Sequence, residues 1–154
     1  MFSGQGSQYP GMGAALYRQD AGFRQAMERL DAVVEGAGGQ SIIARLYHSP
    51  DLGERYQTEL RFTHPALFMV QYAMAESLML RGLQPDFLLG ASLGEYVAAA
   101  VADMVPPEVM LRSLIEQAAL FGEDYPAGSM LAVLAAPGRF ERDPLARFQV
   151  VRGN

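Results

Sequence analysis

The sequence predicts an α/β fold with a mainly parallel sheet. Three observations carry that prediction. Short apolar runs bounded by turn residues alternate along the chain with longer segments of helical period. One such run, residues 87–89, passes through a glycine turn straight into an alanine-rich helical segment. Two further runs of β-compatible residues, 130–135 and 148–151, follow the last helical stretch. Strands that alternate with helices favour a parallel sheet, because its crossovers are helices.

Met1 and Phe2 read as the end of a strand that enters a glycine-rich turn, residues 4–13, where glycines and Pro10 oppose a regular helix. From Ala21 onward, Phe23, Met27, Leu30, Val33 and Val34 recur on one face of a helix. Gly36, Gly38 and Gly39 stop it. Ile42, Ile43, Leu46 and Tyr47 form a shorter apolar cluster, and the polar stretch 51–61 reads as loop. His64 and Pro65 open a long segment that is apolar almost all round and ends at Gly82, which predicts a deeply buried helix. Residues 87–89 suit a central strand buried on both faces. Residues 93–103 then read as a helix, and Pro107 begins another that carries Leu111, Leu114, Ile115, Ala118 and Phe121.

Composition excludes more chemistry than it suggests. Half of the 154 residues are apolar and 19% are charged, the balance of a folding globular chain. All 12 basic residues are arginine, so no lysine can serve as Schiff base, general base or phosphate-loop ligand. With no cysteine there is no thiol nucleophile, disulfide or cysteine-ligated metal, and no metal site is expected. His48 and His64 are the two imidazoles. A net charge of −5 argues against nucleic-acid binding. No stretch reaches the roughly 18 apolar residues of a membrane span, and the amino terminus lacks the pattern of a signal peptide, so no membrane partner and a cytoplasmic location are expected.

Gly90, Ala91, Ser92, Leu93 and Gly94 match the GxSxG nucleophile elbow, placed between an apolar run and a helix as that motif requires. A serine in so tight a turn adopts strained backbone angles, and flanking glycines leave space for the reversal. Its hydroxyl then projects above the sheet. The N–H of Leu93, at a helix start, favours an oxyanion. The bare pattern would arise by chance in roughly one of a dozen chains of this composition, so its setting carries the weight. Its plain alternative is a glycine turn bearing a solvated serine. Glu95 is read as an acid stabilised by the helix dipole rather than as a catalytic group.

Two motifs coincide with a third block: GQGSQ at residues 4–8, THPALF at 63–68 and GASLGE at 90–95. In order and spacing the chain resembles, over its whole length, the family of malonyl-CoA:acyl carrier protein transacylases and polyketide synthase acyltransferase domains. The resemblance implies an α/β-hydrolase-like core, here 1–128, and the start of an inserted ferredoxin-like subdomain at 129–154. It also implies a ping-pong mechanism in which Ser92 takes an acyl group from a thioester and passes it to the phosphopantetheine thiol of acyl carrier protein. The N–H groups of Gln5 and Leu93 would then stabilise the oxyanion. Gln5 is equally readable as a turn residue. No bound cofactor is implied, since acyl carrier protein or CoA carries the substrate.

Three positions depart from the family pattern. Ala91 stands where a histidine usually precedes the serine. Gln117 falls where the family's arginine clamps the free carboxylate of malonyl, and a neutral amide cannot neutralise that charge. Family members without the arginine include acyl hydrolases that clear stalled acyl groups from carrier proteins. The alternative for Gln117 is a solvent-facing helix residue. His64 replaces a common glutamine, and is either structural or a contact to the acyl group or to water.

No histidine follows Ser92, whereas the family's catalytic histidine does; the chain is therefore expected to be an amino-terminal fragment. His48 is expected on the surface. The sequence supports an acyl hydrolase of polyketide systems first, an extender-unit transacylase second, and an inactive carrier-protein docking domain as the non-enzymatic alternative.

Overall fold

The computed structural model describes residues 1–48 and 59–121. The runs at 130–135 and 148–151, and the segment 129–154 expected to open a second subdomain, lie outside the described residues.

Five α-helices build the described part: α1 (Ala14–Gln19), α2 (Ala21–Gly36), α3 (Leu60–Leu80), α4 (Gly94–Val101) and α5 (Pro107–Phe121), with a π-helical turn at Ala44–His48. The amphipathic face read for α2 is the buried one: Phe23, Met27, Leu30, Val33 and Val34 all enter the core. They pack on α3 and α5, while α4 lies against α3 and α5. Leu111, Leu114 and Ala118 of α5 are buried as expected, and His48 is exposed.

Helix ends follow the sequence signals. Gly82 takes φ +87°, its N–H bonds to the Met79 carbonyl and that of Leu83 to Leu78, a geometry that closes the last turn of α3. Asp20 caps α2 by accepting from the Phe23 N–H at 2.9 Å. The same carboxylate receives the Ser77 hydroxyl at 2.8 Å and pairs with Arg81, which ties the start of α2 to the end of α3. Asp31 acts at longer range. From the middle of α2 it accepts from the N–H groups of Ile42 and Ile43 and from the Ser41 hydroxyl, and so seats the turn that buries Ile42 and Leu46. Arg29 grips Glu76 with two nitrogens, at 3.1 and 2.7 Å, and Glu108 with Nε at 2.9 Å. One residue of α2 thereby fixes α5 against α3.

Three expectations need correction, and one helix was not foreseen. α3 begins at Leu60, one turn before His64, so Leu60 and Arg61 are helical rather than loop and Pro65 lies inside the helix. Glu59 supplies a first turn by accepting from the Phe62 and Thr63 N–H groups, which sequence periodicity does not register. The short α1 directly follows the glycine-rich turn, and no apolar stripe announces a helix of that length. The strands at 1–2 and 87–89 reduce, among the described residues, to one parallel bridge between Phe2 and Gly90. Nor is 87–89 buried on both faces. Leu88 packs on the core, but its neighbours alternate to the other side, where Phe87 is 93% and Leu89 60% exposed because no described element covers that face.

The Asp20 carboxyl is held below the usual carboxylate range, first by the Phe23 N–H and then by the Ser77 hydroxyl. Because its folded value is lowered, its contribution to stability is present above the unfolded value of about 3.9 and is lost as pH falls through the folded one. Thermal melts across the acid range are expected to show a shallower loss of stability for Asp20→Asn than for the native chain; superimposable acid limbs would contradict this coupling.

Candidate active site

The bend at residues 90–94 is built by close backbone approach. A Cβ on Gly90 would sit 2.3 Å from the backbone of Gly94 and Glu95, and one on Gly94 would sit 2.3 Å from the Phe2 carbonyl oxygen. Neither contact is possible for a side chain. Between them Ser92 adopts φ +53°, a left-handed conformation that disfavours any residue with a Cβ. The strain expected of a nucleophile elbow is therefore present, and Ser92 is exposed at the turn with no hydrogen-bond partner for its hydroxyl among the described residues.

The amino-terminal segment closes on this bend. Phe2 donates its N–H to the Leu89 carbonyl at 2.7 Å and accepts the Ala91 N–H at 3.0 Å. A Cβ on Gly4 would meet the Ala91 carbonyl oxygen at 2.8 Å and the Ser92 Cβ at 3.0 Å. Gln5, the next residue, shares with Ser92 a cleft of about 350 Å³. The N–H groups of Gln5 and Leu93 make no backbone bond among the described residues, and both residues line that cleft. An exposed serine thus shares a cleft with two residues whose N–H groups are unused, the type of donor that an oxyanion needs.

The five candidate site residues read from the sequence reach the same cleft: Gln5, His64, Ser92, Leu93 and Gln117. His64 Nε2 lies 3.2 Å from Gln5 Oε1, while Nδ1 is buried without a partner. Burial pushes the imidazole below its usual value, so it is neutral near pH 7. The tautomer carrying hydrogen on Nε2 donates to Gln5 and leaves Nδ1 an unpaired acceptor, which costs less than an unpaired donor. Gln117 faces the cleft rather than bulk solvent, and its Nε2 donates to the Tyr96 hydroxyl at 3.4 Å. Glu95, read as a dipole partner, lines the cleft too. With His64 neutral, Glu95 is the one formal charge among the described lining residues, and it is negative.

The acyl transferase domain family matches residues 1–146. The chain belongs to that family. The polyketide biosynthesis acyltransferase homolog BaeD of Bacillus velezensis is 45% identical over 94% of this chain, and the match covers 45% of that relative. The solved acyl transferase domain of ZmaA superposes with a TM-score of 0.76 at 36% identity, over 82% of this chain and 30% of that one. A type II polyketide synthase malonyl-transacylase, solved in complex with its acyl carrier protein, superposes at 0.68 with 28% identity, over 81% of this chain and 38% of that one. The chain thus spans less than half the length of the relatives it matches. These acyl transferase domains are of α/β type, which sets the described helices within the predicted fold class. No described helix is long and apolar enough to cross a membrane.

Sequence reading missed Tyr96 and Leu114 as lining residues of this cleft. Gln71, seven residues after His64 on the same face of α3, is the one polar residue besides Tyr72 in the apolar run 65–75.

Ser92→Gly removes the strained Cβ, and in chemical denaturation it is expected to be more stable than Ser92→Ala by about 1 kcal/mol. Equal stabilities would show that the left-handed turn carries no strain.

Proposed function

We propose that this chain forms the nucleophile-bearing part of a serine enzyme that takes acyl groups from thioesters of acyl carrier protein or CoA. Its preferred substrates are acyl groups without a free carboxylate, and it passes them to water in polyketide biosynthesis. The observation that carries the substrate half is that no arginine stands in the described lining of the cleft, where a neutral His64, Gln117 and Tyr96 accompany the acidic Glu95. A malonyl carboxylate placed there would be uncompensated and would face a like charge. A neutral acyl chain meets no such penalty.

In the reaction, Ser92 Oγ attacks the thioester carbonyl carbon while the N–H groups of Gln5 and Leu93 receive the oxyanion. Collapse breaks the carbon–sulfur bond, releases the thiol of the carrier with a proton, and leaves an acyl-serine ester. Water then adds to that ester, which gives the free acid and restores the serine. The proton acceptor for Ser92 is, on the family resemblance, a histidine further along the protein. His64, hydrogen-bonded to Gln5, fixes that residue's side chain at the cleft wall. The relative's name, a polyketide biosynthesis acyltransferase homolog, and the carrier-protein complex of a related transacylase support the pathway and the partner.

Full-length protein given acetyl-, butyryl- and malonyl-carrier proteins is expected to release acetate and butyrate at least about tenfold faster than malonate, with Gln117→Arg raising malonyl turnover by a similar factor. Rapid malonyl transfer with negligible hydrolysis would support an extender-unit transacylase and defeat the hydrolase reading. Failure of a fluorophosphonate probe to label the native protein would support a docking domain instead.

A further inference from the structure

We infer that Gln71 is a positioning residue for the oxyanion donor of Gln5, an inference that rests on Ser92 being the nucleophile. Between His64 and Glu76, α3 is apolar except for Gln71 and the Tyr72 hydroxyl. The Gln71 carboxamide reaches across to the amino-terminal segment. Its Oε1 accepts the Ser3 N–H at 2.7 Å, with the Ser3 hydroxyl oxygen 3.2 Å away, and its Nε2 donates to the Ser3 carbonyl at 3.1 Å. A backbone N–H can only donate and a carbonyl can only accept, so the orientation of the amide is set by Ser3 itself. The second amide hydrogen goes to the Leu67 carbonyl, one turn back on α3, at 3.2 Å. That bond anchors the carboxamide to its own helix.

Gln71 therefore pairs with Ser3 as a neighbouring strand would. Phe2 is held by the bridge to Leu89 and Ala91, Ser3 by Gln71, and Gly4 by contact with Ala91 and Ser92. Gln5 comes next, and its N–H makes no backbone bond of its own. Its position is inherited from Ser3 and Gly4, with the side-chain bond to His64 as the remaining tie. Ser3 also spans its own turn, since its hydroxyl lies 2.8 Å from that of Ser7, which donates to the Gly4 carbonyl at 2.8 Å.

Ser3 is exposed, so water can replace the Gln71 bonds at small cost to stability. Water cannot replace their direction. An oxyanion donor must lie within about 3 Å of the developing charge, and displacement by about 1 Å costs on the order of a hundredfold in rate. Loss of Gln71 is thus read in the chemical step rather than in folding.

The test uses the full-length protein and the rate of phosphonylation by a fluorophosphonate probe, whose phosphoryl oxygen occupies the oxyanion position. Gln71→Met keeps the volume and removes every hydrogen bond; it is expected to slow labelling roughly ten- to a hundredfold while the melting temperature stays within about 3 °C. With butyryl-carrier protein, kcat should fall by a similar factor and KM stay within about twofold. Gln71→Glu, which keeps an acceptor for the Ser3 N–H, should recover part of the loss and serves as the second variant should the first fail to fold. Labelling at the native rate in either variant, or a loss matched by a large drop in melting temperature without recovery in Gln71→Glu, would overturn the inference. Ser92→Ala run in parallel separates the two readings: persistent labelling there removes the nucleophile itself, whatever Gln71 does.

Discussion

The site depends on one backbone contact made without side chains. The Phe2 carbonyl lies where a Cβ of Gly94 would be, and Gly4 lies where only hydrogen fits against Ala91 and Ser92. This nesting brings Gln5 and Leu93, almost ninety residues apart in sequence, into one cleft with Ser92. The bridge from Phe2 to Leu89 and Ala91 sets the register, and the strained turn at Ser92 follows from it. Helices α3 and α5 then supply walls to a bend whose geometry is already fixed. The ion pairs of Arg29 tie both of those helices to α2.

The cleft combines a strong electrostatic demand with a selective wall. On the proposed mechanism, charge that develops on an acyl oxygen is received by the N–H groups of Gln5 and Leu93. Charge carried by the acyl group itself meets Glu95, an amide and a phenol. Neutral His64 adds no positive field, because burial opposes its protonation. On the proposed reading, the same cavity favours an oxyanion in the transition state and disfavours a carboxylate in the substrate.

Much of this was legible in the chain. Periodicity located the buried faces of α2 and α5, and Gly82 marked the end of α3. The elbow could be read because glycine spacing and the flanking apolar run are local features. Less legible were relations that depend on distant partners. Whether residues 87–89 form a ladder is decided by what pairs with them, and Phe2 alone gives a bridge. α3 starts earlier than apolar spacing suggests, because its first turn is closed by backbone bonds to the Glu59 carbonyl, which hydrophobicity does not register. For Gln117 the sequence left a substrate contact and a water-facing helix residue both open, and packing turns it to the cleft. Gln71 stayed hidden because its partner is backbone, and backbone has no letter in a sequence.

The central claim is that an acyl group passes through an ester on Ser92. Mass spectrometry of the full-length protein, quenched in acid within its first turnovers of butyryl-carrier protein and digested, tests it most directly. A butyryl increment confined to the peptide that contains Ser92, and cleared as butyrate is released, is the result the structure predicts. Turnover with the increment on another residue, or with no covalent species at any quench time when deacylation is slowed, would contradict it.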